Sequence, residues 1–182
     1  MKYYCGCVGM VSVFLATSPV ACKNSGVLTN ADMMLAAIRM SVENAGRGGG
    51  PFAAIVAREG SIIASGVNQV TVTNDPTAHA EVVAIRAACR ELRNFQLTGC
   101  DIFTTCEPCP MCMGAIYWAR PARVYYANTR EDAADIGFDD SLIYKELRKP
   151  VDERRIPMHQ LMREEALEAF EAWRRSVNKI RY

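Results

Sequence analysis

Two short fragments with metal-binding residue types constrain this chain of 182 residues more than any other feature. The first is His79-Ala80-Glu81, and the second runs from Cys106 to Cys112 as Cys-Glu-Pro-Cys-Pro-Met-Cys. Two thiolates and one imidazole occupy three corners of a zinc tetrahedron and leave the fourth for water, as in catalytic sites. The fold must therefore bring two distant segments together around one ion.

The spacing within each fragment assigns the roles. Cys109 and Cys112 can share one face of a helix, and a helix N-terminus lowers the pKa of their thiols. His79 and Glu81 can serve one site only from the start of a helix. We therefore expect zinc on His79, Cys109 and Cys112. Glu81, which is not a ligand, would take a proton from the attacking water and return it to departing ammonia.

One alternative uses Cys106 as a fourth ligand. A closed, four-ligand knot would bind no water and would make the chain a non-catalytic structural zinc module for protein interaction. That reading leaves Glu81 without a role. Cys89 and Cys100 are interpreted as small core or loop residues, and His159 as an ordinary surface histidine.

The apolar pattern alternates between strand and helix, which predicts a layered α/β domain. Strand-like runs occupy residues 52–57, 62–67, 102–105 and 124–127, the first two forming a hairpin, and residues 68–76 read as a loop. Helical patterns occupy residues 78–92, 109–119 and 163–177, after a first helix that starts at Asn30 or Asp32 and ends at Gly46. The apolar stripe of that first helix is predicted to be Met34, Leu35, Ile38 and Val42.

Size and charge narrow the function classes. One domain is expected over residues 31–182. Lys and Arg total 21 against 20 for Asp and Glu, so no strong field directs the chain to nucleic acid or membrane. Residues 1–30 are interpreted as an extension without a fold. The metal-type cysteines favour a reducing compartment and a cytoplasmic location, whereas the apolar run 8–16 leaves an export signal as the alternative.

The chain resembles the small bacterial guanine deaminases of the cytidine-deaminase superfamily, over about residues 31–182. His-x-Glu followed by Pro-Cys-x-x-Cys is the general signature of zinc deaminases. The closer likeness rests on segments 49–52, 74–81, 112–121 and 137–140 and on the ending Asn178-Lys179-Ile180-Arg181-Tyr182. Directly after segment 49–52, Ala53 stands where many members of the family have glycine, a change that would narrow the pocket.

The resemblance implies a three-layer α/β/α fold with a mixed sheet of about five strands. It also implies one zinc ion per subunit and hydrolysis of guanine to xanthine and ammonia, in purine catabolism or salvage. Asn68 and Asp140 would bind the purine and Phe52 would stack near its ring. Residues 150–182 would cross to a second copy in a domain-swapped homodimer, with Tyr182 of the partner subunit closing the site.

A tRNA adenosine deaminase is the closest enzymatic alternative, because that group shares the zinc motifs and a similar Asn-Asp-Pro-Thr-Ala-His-Ala-Glu stretch. Near-zero net charge and the Gly-Phe-Asp-Asp segment at 137–140 favour a small free base over RNA.

Overall fold

The computed structural model of the chain describes residues 27–182, in which four strands form one mixed sheet. The strands are β1 (Ala53–Arg58), β2 (Ser61–Val67), β3 (Asp101–Cys106) and β4 (Arg123–Asn128), in the spatial order β2-β1-β3-β4. β1 is antiparallel to β2 and β3, and β3 is parallel to β4. The predicted hairpin is confirmed, and it turns at Glu59 and Gly60, both with positive φ.

The expectation of about five strands is too high by one for these residues. The four strands read from the residue pattern all form, and the fifth came from the resemblance alone. Directly after β4, the Thr129 hydroxyl accepts from the backbone N–H of Asp132 while the Asp132 carboxylate accepts from that of Thr129. This capping box starts a helix, so the chain leaves the sheet.

Seven α-helices and one 3₁₀ helix complete the described part. The α-helices are α1 (Asn30–Gly46), α2 (Val70–Thr73), α3 (Ala80–Leu92), α4 (Pro110–Ala119), α5 (Arg130–Asp135), α6 (Ser141–Leu147) and α7 (Arg163–Arg175), with the 3₁₀ turn at Val151–Glu153. The predicted loop at 68–76 therefore contains the short α2. No helix among the described residues is long and apolar enough to cross a membrane.

The helices lie on both faces of the sheet and confirm the three-layer arrangement. On one face α1 packs through Met33 and Ala37 against Ile55 and Phe103. On the other face α3 and α4 cover a second core, which contains Ala54, Val56, Ala80, Ala84, Ile85, Ala88, Ile102 and Ile116. Consecutive strand residues such as Ile102 and Phe103 point to opposite faces, so one strand serves both cores.

The predicted stripe of α1 is wrong for Leu35, Ile38 and Val42, whereas Met34 is partly buried against the core. The buried residues of the helix are Met33, Ala37 and Ser41. Leu35 is 50% exposed and Val42 is 67% exposed. Ala37 and Ser41 are small, which lets the helix lie close to the sheet. The prediction from the sequence considered only hydrophobicity and therefore chose larger apolar residues. The helix is capped by Thr29, with Asp32 as its capping-box partner, rather than by Asn30 or Asp32.

The predicted extension covers residues 1–30, of which residues 1–26, including the apolar run of the alternative export signal, lie outside the described residues. Thr29 and Asn30 form the start of α1. At the other end of the chain α7 ends at Arg175, two residues before its predicted end, and none of its residues is buried.

Candidate active site

A pocket of about 520 Å³ opens where α3 and α4 begin. His79 precedes α3 and Cys109 precedes α4, and each is the N-cap residue with extended backbone. Both helices lie on the same face of the sheet, so their N-terminal ends meet at one edge. The pocket walls come from residues 48–52, which precede β1, from the segment that follows β2, and from residues 137–140.

His79, Cys109 and Cys112 are brought together as predicted. Their ligand atoms all lie within 4.8 Å of one another. The Nδ1 atom of His79 is 3.5 Å from the Sγ atom of Cys109 and 3.5 Å from that of Cys112. Cys112 lies in the first turn of α4, so both cysteines face the same point.

These distances fit a tetrahedral zinc ion. With bonds of about 2.3 Å to sulfur and about 2.0 Å to nitrogen, tetrahedral ligand atoms lie about 3.5 Å apart. The two measured S–N separations agree with this spacing, so His79 lies at zinc-ligand distance from each cysteine. Three protein ligands would leave one coordination position of the ion for water.

The start of α4 favours the thiolate form of Cys109. The pKa of this thiol is strongly lowered because Cys112 and His79 donate hydrogen bonds to its sulfur. The same hydrogen bond to Cys109 raises the pKa of His79. A negative charge is therefore stabilised on Cys109 even before a cation binds, as expected at a helix N-terminus.

Glu81 lies beside the metal ligands and is 6% exposed. Its Oε1 atom accepts a hydrogen bond from the Thr104 hydroxyl at 3.0 Å, and its Oε2 atom lies 3.4 Å from the Sγ atom of Cys112. Burial raises the pKa of this carboxyl group, and the hydrogen bonds from its own backbone N–H and from Thr104 act in the opposite direction. A buried carboxyl with a raised pKa is suited to accept and release a proton.

Cys106 does not join the metal ligands. Its thiol donates to the backbone carbonyl of Thr129 at 3.4 Å, and burial raises its pKa to about 11. A neutral thiol that is hydrogen-bonded to another group is a poor metal ligand. Cys106 therefore does not supply the fourth ligand that a closed structural zinc site would need.

Phe52, Asn68 and Asp140, the predicted substrate-binding residues, all line the pocket. The ring of Phe52 meets that of Phe138 edge to face at 4.9 Å. Asn68 is buried and its Oδ1 atom accepts from the backbone N–H of Val70 at 3.3 Å. The structure thus groups three side chains that are distant in sequence around the metal ligands.

Asp139 and Asp140 differ in their partners. The carboxylate of Asp139 accepts from the backbone N–H of Ser141 at 2.8 Å and so fixes the start of α6. Asp140 is the N-cap residue of α6, but its side chain makes no capping hydrogen bond. Burial together with the nearby Cys109 raises the pKa of Asp140, while Arg130 and the backbone N–H of Asp140 lower it. Asp140 is therefore the acid of the pair that remains available to a ligand.

Tyr182 does not reach the pocket of its own chain. Its ring packs against Trp118 at 5.6 Å and Phe95 at 6.3 Å, in a groove between α3 and α4. Ala53 is fully buried and is not part of the pocket wall, so its methyl group does not narrow the pocket.

Three further residues that were not predicted to be site residues contribute to the site. Thr104 bonds to Glu81, and Phe138 packs on Phe52. Asn44, near the end of α1, donates to the carbonyls of Gly50 at 2.8 Å and Asn68 at 2.9 Å, which joins two walls of the pocket. Only Phe138, within the 137–140 segment, had a sequence signal; Thr104 and Asn44 act through contacts distant in sequence.

Comparisons with known proteins agree with this geometry. Residues 29–128 match the family described as "Cytidine and deoxycytidylate deaminase zinc-binding region". The chain is 55% identical over 147 residues to guanine deaminase of Bacillus subtilis, a match that covers 80% of this chain and 94% of that protein.

A solved X-ray structure of guanine deaminase from Bacillus subtilis is similar with a TM-score of 0.83 and 52% identity, covering 85% of this chain and 99% of that one. A tRNA-specific adenosine deaminase of Aquifex aeolicus is 44% identical over 77 residues, which are 42% of this chain and 51% of that protein. The likeness to the second group thus spans about half the length of that relative.

Proposed function

The chain belongs to the cytidine and deoxycytidylate deaminase zinc-binding family, and from this premise we propose that it hydrolyses guanine to xanthine and ammonia with zinc as its metal. The reaction cleaves a C–N bond of a cyclic amidine. The observation that carries the proposal is that one pocket, large enough for a purine, contains both a three-ligand metal site and a buried carboxyl group. Its volume lies within the range of small-molecule sites.

His79, Cys109 and Cys112 would hold the zinc ion. When bound there, zinc supplies an activated water at neutral pH, because it lowers the pKa of water to about 7. The chain contributes the arrangement of its own groups around that position. His79 directly precedes α3 and Cys109 directly precedes α4, with Cys112 in the first turn of α4. The imidazole and both thiols therefore lie at the starts of two helices that pack on the same sheet.

Glu81 would carry the proton. Its Oε1 atom is held by Thr104, which leaves Oε2 directed towards the metal ligands. The carboxylate takes a proton from the attacking water and delivers it to the amino group that leaves as ammonia. The carbon gains one C–O bond and loses one C–N bond, so the protonation state of Glu81 is restored at the end of each turnover.

The remaining walls would bind the base. Phe52 offers an aromatic surface, and Asn68 and Asp140 offer polar groups at fixed positions. A carboxylate such as Asp140 accepts hydrogen bonds from ring N–H groups. Free guanine carries such donors on both of its rings, whereas an adenosine within RNA carries none, because its N1 is an acceptor and its N9 is bonded to ribose. This difference supports the free base as the substrate.

A substrate panel tests the proposal directly. Purified zinc-loaded protein would be incubated with guanine, adenine, cytosine and a tRNA anticodon stem-loop, with detection of released ammonia and chromatography of the products. We expect xanthine and ammonia from guanine, and a kcat for Glu81→Gln at least about 100-fold lower at equal zinc content. Deamination of the stem-loop without turnover of guanine would reject the proposal.

We also propose a homodimer in which residues 150–182 exchange between subunits. The support is α7, which buries none of its residues although Phe170 is 68% and Trp173 is 47% exposed. An amphipathic helix with an uncovered apolar face is stabilised by a second surface. In such a dimer Tyr182 of one subunit would close the pocket of the other.

Mixed dimers distinguish exchange from action within one chain. Glu81→Gln and Tyr182→Ala proteins would be unfolded together, refolded and assayed. If Tyr182 serves the partner's site, each mixed dimer has one site with both wild-type residues, and activity exceeds that of either variant alone. If mixing gives no gain while light scattering shows dimers, the exchange of Tyr182 is wrong.

The proposed location is the cytoplasm, and the proposed role is purine catabolism or salvage. All five cysteines in the described residues are free thiols, and Cys109 and Cys112 must stay reduced to bind a metal. A reducing compartment satisfies that requirement.

A further inference from the structure

We propose that Thr104 is a positioning residue that holds Glu81 in its reactive orientation. The proposal rests on the function given above. Thr104 lies on β3 and is 1% exposed. Its hydroxyl donates to the Oε1 atom of Glu81 at 3.0 Å, across two elements that are far apart in sequence. The sheet, rather than the helix that carries Glu81, therefore sets the position of the carboxylate.

Among the described residues, the Thr104 hydroxyl is the side-chain donor to the Oε1 atom of Glu81. The other side-chain group within hydrogen-bonding distance of this carboxylate is the Cys112 thiol, whose Sγ atom lies 3.4 Å from Oε2. A thiol is a weak hydrogen-bond donor, whereas a hydroxyl is an ordinary one. Thr104 therefore supplies the main side-chain anchor of the carboxylate.

The consequence for catalysis follows from geometry. Glu81 reaches the site through three rotatable side-chain bonds, and a proton carrier must keep one oxygen near the reacting atoms. Anchoring Oε1 on the sheet leaves Oε2 on the side of the metal ligands. Loss of the anchor would lower the fraction of molecules with Oε2 in place, and an error of about 1 Å at such a group can cost about 100-fold in rate.

The adjacent Thr105 provides a matched control. It lies on the same strand and is 2% exposed, but its hydroxyl accepts from the backbone N–H of Ala53 at 3.0 Å. Thr105→Val and Thr104→Val each remove one buried hydrogen bond and keep the side-chain shape. Only Thr104→Val removes a donor from Glu81.

The experiment compares zinc-loaded wild type, Thr104→Val, Thr104→Ser and Thr105→Val by zinc content, Tm, kcat and KM for guanine. For Thr104→Val we expect full zinc, a KM within about threefold of wild type and a kcat lower by about 10- to 100-fold. Thr104→Ser keeps the hydroxyl and should recover kcat to within about threefold. Thr105→Val should lower Tm and leave kcat within about threefold.

A kcat for Thr104→Val equal to that of wild type, or the same loss in Thr104→Ser, would overturn the proposal. Crystal structures of zinc-loaded wild type and Thr104→Val give a readout that needs no substrate. We expect the Glu81 carboxylate to be displaced or in several conformers in the variant, and an unchanged position contradicts the role. If wild type fails to deaminate guanine, the proposed function fails, and the two crystal structures still decide the role of Thr104.

Discussion

Substitution of Gly66 by alanine should disturb the metal site, because Gly66 packs against α3, the helix that follows His79 and carries Glu81. Gly66 lies in β2, and a Cβ atom there would be 2.6 Å from the carbonyl oxygen of Ala80 and 2.6 Å from the backbone nitrogen of Ala84. Both are backbone atoms of α3 and cannot rotate away. Gly66 therefore sets how closely α3, with His79 and Glu81 at its start, lies against the sheet.

The required shift can be read from the distances. Ordinary contact with a Cβ atom begins at 3.4 Å, so α3 and β2 must separate by about 0.8 Å in Gly66→Ala. Overpacking of this kind costs about 1–3 kcal/mol, which for a chain of this size lowers Tm by about 2–12 °C. Displacement of His79 and Glu81 by nearly 1 Å should lower kcat/KM at least about tenfold.

The assay combines thermal unfolding, zinc content and guanine turnover, with Gly114→Ala as the control. Gly114 lies within α4, which also carries a metal ligand, and a Cβ atom there meets nothing within 4 Å. Alanine is favoured over glycine in a helix by about 1 kcal/mol, so this control should be as stable as wild type or more stable. A Gly66→Ala protein with the Tm and kcat/KM of wild type would refute the close-approach reasoning.

Glu81→Gln should retain zinc and lose about 10²- to 10⁴-fold in kcat, because the amide cannot take up and release the proton. Metal analysis and guanine turnover check this prediction. Activity within about tenfold of wild type would remove Glu81 from the mechanism. Cys109→Ala should lose zinc and stability together, whereas Cys106→Ala should keep zinc; full zinc in the first variant contradicts the ligand assignment. Asn44→Ala should raise KM by about tenfold with a smaller change in kcat, because the pocket walls at Gly50 and Asn68 lose the side-chain donor that they share. Steady-state kinetics measure both constants. An unchanged KM would show that the pocket keeps its shape without this donor.

The sequence alone determined the chemistry of the site. His79, Glu81, Cys109 and Cys112 belong to short fragments whose spacing reflects local helix geometry, so the metal triangle could be predicted before any fold was known. Four strands and the main helices were also predictable, because apolar periodicity is a local property. The choice between a catalytic and a closed site was left open there, and the bond from Cys106 to Thr129 decides it.

Tertiary structure decided what depends on contacts across the sheet. Burial of Met33 and Ala37 on α1, rather than of the larger apolar residues beside them, follows from how closely the helix approaches the strands. The roles of Thr104 and Gly66 likewise exist only once β3 and β2 lie against α3. Sequence spacing describes neighbours along one element, whereas the distance between elements is fixed by packing of the whole domain.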